Sequence, residues 1–229
     1  MPDSPDPPRL PLWFKLAYTV MAAVTVGVYL TIYPLRHFLW FSDVALILLV
    51  PALWLEHRLL ASMMALGVLL PELIWNAGFL IGLARGHDPI GLVSYMFDPG
   101  RPLLQRALSG GFHILLPVVI LVAMIRLGYD RRALPLQLAL SWAILILSRL
   151  AATNDANINF VLGFGHTVPR TILPEPWHFI ILLVGFPLLV HLPTHLVLRR
   201  CCGRHPTNPA GPADHATAPR FRQTDHARC

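Results

Sequence analysis

Charge is scarce in this 229-residue chain: Asp, Glu, Lys and Arg make up 13% of it, against about 25% in soluble globular domains. So sparse a set excludes an ordinary water-solvated surface. Cysteine is scarcer still, and Cys201, Cys202 and Cys229 all follow the last apolar run. That excludes a disulfide framework in the earlier loops and leaves no basis for redox chemistry. The formal charge of +6 does not point to nucleic acid, because the basic residues stand at the ends of apolar runs and in the C-terminal stretch, where membrane topology puts them. The first apolar run ends at Ile32-Tyr33-Pro34 without a small-residue cleavage pattern, so it reads as a retained helix and not as a signal peptide.

What the chain does have is apolar sequence: 55% hydrophobic residues and a mean hydropathy of +0.57 predict an all-α, polytopic membrane bundle. Residues 1–12 read as a disordered leader, 13–198 as the membrane domain and 199–229 as a disordered basic tail. Six spans are expected, at 14–32, 38–55, 59–84, 107–125, 134–150 and 177–198. The turns after the second and fourth spans are short and charged. Residues 85–106 and 151–176 form two long connections. The first has room for a short interfacial helix at 90–97, and the second mixes Asn154, Asn157 and Asn159 with Phe160, Gly163 and Gly165, which predicts an ordered re-entrant or lid-like loop.

Lys and Arg number twelve on the side of the termini and six on the other. The rule that positive charge stays inside then places both termini in the cytoplasm, here of a bacterial inner membrane. On that orientation Asp43, Glu72, Asn76, His113, Arg149 and His178 all fall in the outer half of their spans, under the two long connections. They predict a single outward-facing polar cavity.

The stretch Leu69-Leu70-Pro71-Glu72-Leu73-Ile74-Trp75-Asn76 is the most unusual in the chain, because it sets a carboxylate and an amide inside an apolar span. Glu72 and Asn76 share one helix face four residues apart. They fit either a carboxylate held by an amide for proton transfer or an interhelical clamp, with His113 or Arg149 opposite. Ser42, Asp43, Glu72 and His113 are the candidate catalytic residues, since acyl chemistry needs a hydroxyl or carboxylate within reach of an imidazole. Asn76, Arg149 and His178 are candidates for binding substrate. His191 and His195 have the i, i+4 spacing of metal ligands, but no Glu follows His191 and Pro193 interrupts the pair, so no metal or other cofactor is expected.

The segments Trp40-Phe41-Ser42-Asp43, Leu69 to Asn76, Asn157-Ile158-Asn159-Phe160 and Leu192-Pro193-Thr194-His195 resemble an uncharacterised group of bacterial integral membrane proteins. A fainter likeness is to six-helix intramembrane lipid hydrolases of the androgen-induced type, which pair a threonine on an early helix with a histidine on a later one. It implies Ser42 or Asp43 paired with His113, and membrane lipids as partners. Three classes of function stay open: a lipid hydrolase or acyl transferase, a small transporter or channel, and a non-catalytic scaffold. Thiol probes placed at Asp88 and Thr167 are expected to react from outside intact cells, and probes at Arg131 and native Cys201 to stay unlabelled. Labelling at Arg131 reverses the orientation.

Overall fold

A computed structural model of the chain describes residues 10–88, 91–153, 156–164, 173–174 and 176–203. Most of the expected leader, the tail from 204 and the connection residues 154–155 and 165–172 lie outside the described residues. The described residues form an all-α bundle: α1 (Leu12–Ile32), α2 (Phe41–Trp54), α3 (Arg58–Arg85), α4 (Leu103–Leu127), α5 (Ala133–Ala151), α6 (Trp177–Phe186) and α7 (Leu192–Cys201). One π-helical stretch, Pro187–His191, joins α6 to α7, so that 177–201 is a single rod. Five of these rods are long and apolar enough to cross a membrane, and α2 is the shorter exception.

Local chemistry sets the boundaries. Pro34 follows the last turn of α1 and bars its continuation. At the start of α3, His57 Nδ1 accepts from the Leu60 amide at 3.1 Å, and at its end Gly86 takes φ of 75°, the left-handed turn that suits glycine. Pro71 and Pro117 stand inside α3 and α4 without dividing them. Such breaks in the backbone ladder are tolerated where neighbouring helices cover them.

α3 and α4 form the core of the bundle. α3 packs against α2, α4, α5 and α7, and its Ala61, Ala65 and Gly67 leave neighbouring helices room to approach. A Cβ on Gly67 would lie 2.5 Å from Gln137 Nε2 of α5. α1, α5 and the α6–α7 rod turn wide rows of Leu, Ile and Val outward, as lipid-facing helices do.

The second span differs from its expected range of 38–55. The α-helix starts only at Phe41, after a 3₁₀ stretch at Leu35–Leu39. Its 14 residues rise about 21 Å, short of the roughly 30 Å of a hydrocarbon core. The expected interfacial helix at 90–97 is reduced to one 3₁₀ turn, Ser94–Met96.

The end of the bundle that carries both termini is tied by polar contacts. Glu56 Oε1 accepts from Lys15 Nζ at 2.8 Å and from the Leu10 amide at 3.1 Å. Arg58 donates to the Tyr129 carbonyl, the Tyr129 amide to the Cys202 carbonyl, and the Asp130 amide to Ser62 Oγ. Hydrogen bonds from Arg132 hold the Asp130 carboxyl below its ordinary range. A depressed carboxyl pKa adds stability above the unfolded value, and that stability is lost as pH falls through the folded one. Arg132→Ala is therefore expected to raise the Asp130 titration midpoint toward the usual aspartate value, read by ¹³C NMR of the carboxyl. An unchanged midpoint shows that the pair does not hold in solution.

Candidate functional site

At the end opposite the termini, α1, α2, α3 and α4 diverge around a cavity of about 570 Å³. The short α2 opens this space, and residues 156–160 of the second long connection roof it. Asn159 fastens the roof from a left-handed backbone at φ 53°. Its Oδ1 accepts from the Phe41 amide at 3.2 Å, and its Nδ2 donates to the Leu39 carbonyl at 2.8 Å and to Ser148 Oγ at 2.9 Å. Asn157 closes the loop on itself, accepting from the Leu162 amide and donating to the Gly163 carbonyl. The start of α2 carries no side-chain cap of its own, so a residue 118 positions away satisfies one of its orphan donors.

Glu72 of α3 and His113 of α4 meet in the wall of the cavity, with Glu72 Oε2 2.7 Å from His113 Nδ1. A carboxylate oxygen accepts, so Nδ1 carries the hydrogen, and in a neutral imidazole the lone pair is then on Nε2. Nε2 makes no hydrogen bond among the described residues. Trp75 stacks on the imidazole at 4.3 Å and 15° and Phe112 flanks it at 4.1 Å, which restrains the ring. Trp75 is fixed in turn by donating Nε1–H to Tyr95, whose hydroxyl pairs with Ser109 Oγ at 2.9 Å.

The expected Glu72–Asn76 pair takes a different form. The Asn76 amide does not touch the carboxylate: its Nδ2 donates to the Glu72 carbonyl and, across to α4, to the His113 carbonyl, both at 2.8 Å. An amide one turn further along has its backbone neighbours in closer reach than the side chain that leans away toward α4. Asn76 is thus the clamp, and Glu72 is free to serve the imidazole.

Asp43 is 2% exposed and lines the cavity from the first turn of α2, where the helix dipole favours negative charge. Its Oδ2 lies 3.7 Å from His37 Nε2, and Oδ1 is buried without a partner. His37 stacks on Tyr33 at 3.7 Å, and Gln105 and Arg101 donate to the Tyr33 hydroxyl. Ser42 also lines the cavity but makes no hydrogen bond with His113.

Two expected members stand elsewhere. Arg149 is half-buried at the end of α5 and does not line the cavity, and His178 is spent on the roof, donating Nε2–H to the Phe160 carbonyl at 2.9 Å. His191 and His195 point to different partners, Ser141 Oγ at 3.2 Å and the Tyr129 hydroxyl at 2.6 Å. The aromatic walls, above all Tyr29, Tyr33 and Tyr95, went unforeseen. Aromatic residues in apolar spans give no local sign of whether they face lipid or a cavity.

No family model, curated protein or solved structure matches this chain. Glu72→Ala is expected to strand the His113 Nδ1–H in an apolar wall, at a cost of roughly 1–3 kcal/mol. That loss is read as less folded protein and a lower melting temperature in detergent. Wild-type yield and melting temperature mean that water reaches the site.

Proposed function

We propose that the protein is an integral membrane hydrolase or acyl transferase, in which His113 of the cavity acts as general base on a lipid ester. The observation that carries this reading is the 2.7 Å contact of Glu72 with His113 Nδ1 at the cavity wall, where Nε2 has no hydrogen-bond partner among the described residues. Such a carboxylate–imidazole pair orients the ring and favours the imidazolium that forms when Nε2 takes a proton. In hydrolysis Nε2 removes a proton from water as its oxygen adds to the ester carbonyl. Collapse of the tetrahedral intermediate breaks the C–O bond, and the leaving alkoxide takes the proton back from the imidazolium. The products are an acid and an alcohol. An acceptor alcohol in place of water gives acyl transfer. Ser42 lies at hand in the same cavity as an alternative nucleophile.

On the proposed orientation, with both termini cytoplasmic, the cavity opens outward. Its aromatic and aliphatic walls suit an acyl chain, and the polar groups suit the ester end. One observation favours a transporter as the second reading. Phe186 lines the cavity and also meets His191, which does not line it, edge-on at 5.2 Å. His191, Ser141 and Gln137 then form a buried polar row toward the terminal end.

The test is reconstitution in lipid nanodiscs with a panel of phospholipids and acyl esters. His113→Ala is expected to abolish turnover, and Glu72→Gln to lower it by about 10²-fold or more. Equal turnover by wild type and His113→Ala eliminates the mechanism. No turnover by either, with solute flux in proteoliposomes, establishes the transporter.

A further inference from the structure

Asp43 is the buried carboxylate that the general-base mechanism does not use. Its side chain is 3% exposed, and Oδ1 has no donor among the described residues. His37 Nε2, 3.7 Å from Oδ2, is too distant for a hydrogen bond. Glu72 is already engaged by His113. Two arginines line the same cavity, and neither pairs with Asp43: Arg101 lies 3.7 Å from Asp98 and 5.6 Å from the centre of the Tyr95 ring, while Arg36 is exposed. A buried carboxylate oxygen without a donor is costly, and the usual remedies are a hydrogen-bond donor, a counter-charge or a bound proton, the last of which a cationic ligand displaces. Among the described residues no donor reaches Oδ1.

The surroundings narrow what a ligand would bring. Tyr29 of α1 lies edge-on to Tyr33, His37 and Phe112 at 5.2, 5.6 and 6.3 Å, so the wall around this acid is aromatic. Aromatic faces beside a carboxylate attract a weakly hydrated cation and repel an anion, and alkylated ammonium groups suit such walls best. We propose that Asp43 is the anchor for the cationic nitrogen of the ligand, an ammonium or methylated ammonium group held against the aromatic wall of the cavity. The proposal rests on the reading of this cavity as a ligand site and adds the chemical class of what enters it. The nitrogen belongs either to a phospholipid headgroup or to a free amine. At about 570 Å³ the cavity exceeds an ammonium group severalfold, which leaves room for an ester beside His113.

The test compares shape with charge. In nanodiscs of phosphatidylglycerol, which carries no nitrogen, calorimetry measures the binding of choline and of 3,3-dimethylbutan-1-ol, its uncharged analogue of the same shape. Choline is expected to bind about tenfold tighter or better. Asp43→Asn is expected to remove that preference while binding of the neutral alcohol persists, which also shows that the variant is folded. Equal affinity of the wild-type protein for the two compounds overturns the proposal whether or not the variant folds. Choline binding unchanged in Asp43→Asn overturns it too. Lysophosphatidylcholine binding more tightly than choline assigns the nitrogen to a lipid headgroup, and equal or weaker binding assigns it to a free amine. Either result supports the anchor where the charge preference holds. His113→Ala is expected to keep that preference, so failure of the hydrolase and failure of the anchor are read separately.

Discussion

A helix that starts inside a bundle must find partners for its first backbone amides, and α2, which begins at the buried Phe41, is such a helix. Its 14 residues are too few to cross the hydrocarbon core, so Leu35–Leu39 and the residues of the second connection fill the remaining depth with irregular backbone. Irregular backbone survives at that depth only when it is buried in protein or faces a polar cavity. Both conditions hold here. Asn159 supplies the Phe41 amide with an acceptor and the Leu39 carbonyl with a donor, while the space above α2 is the cavity itself.

From this constraint the electrostatics follow. The positive end of α2 lies inside the protein, and Asp43 occupies its first turn. Glu72 enters the same space from the middle of α3 and meets an imidazole from α4. Two acids in one cavity thus differ among the described residues: His113 is hydrogen-bonded to one, while His37 lies 3.7 Å from the other. That asymmetry separates an acid hydrogen-bonded to an imidazole from one whose Oδ1 has no close donor among the described residues.

The clamp and the dyad also divide the labour between neighbouring turns of one helix. Asn76 ties α3 to α4 through the His113 backbone, so the carbonyl of the residue that carries the imidazole is fixed while its ring is oriented separately by Glu72 and Trp75. An imidazole held at both backbone and ring has little freedom left to lose, which is what preorganisation means.

Much of this was legible in the sequence, for reasons of solvent. Low charge, long apolar runs and short basic turns fix an all-α membrane bundle, because lipid permits few other ways to satisfy the backbone. Glu72, Asp43 and His113 stood out as candidates because polar groups in apolar spans need partners. Pairing was another matter. Periodicity places residues on a face but says nothing of which faces meet, so only the packing of α3 against α4 decided that Glu72 reaches His113 and that Asn76 reaches its carbonyl. The same holds for Arg149 and His178: the first does not line the cavity, and the second is bonded into its roof. The start of α2 was hidden for a related reason: its cap comes from Asn159, far along the chain, and a boundary set by a distant side chain leaves no local signal.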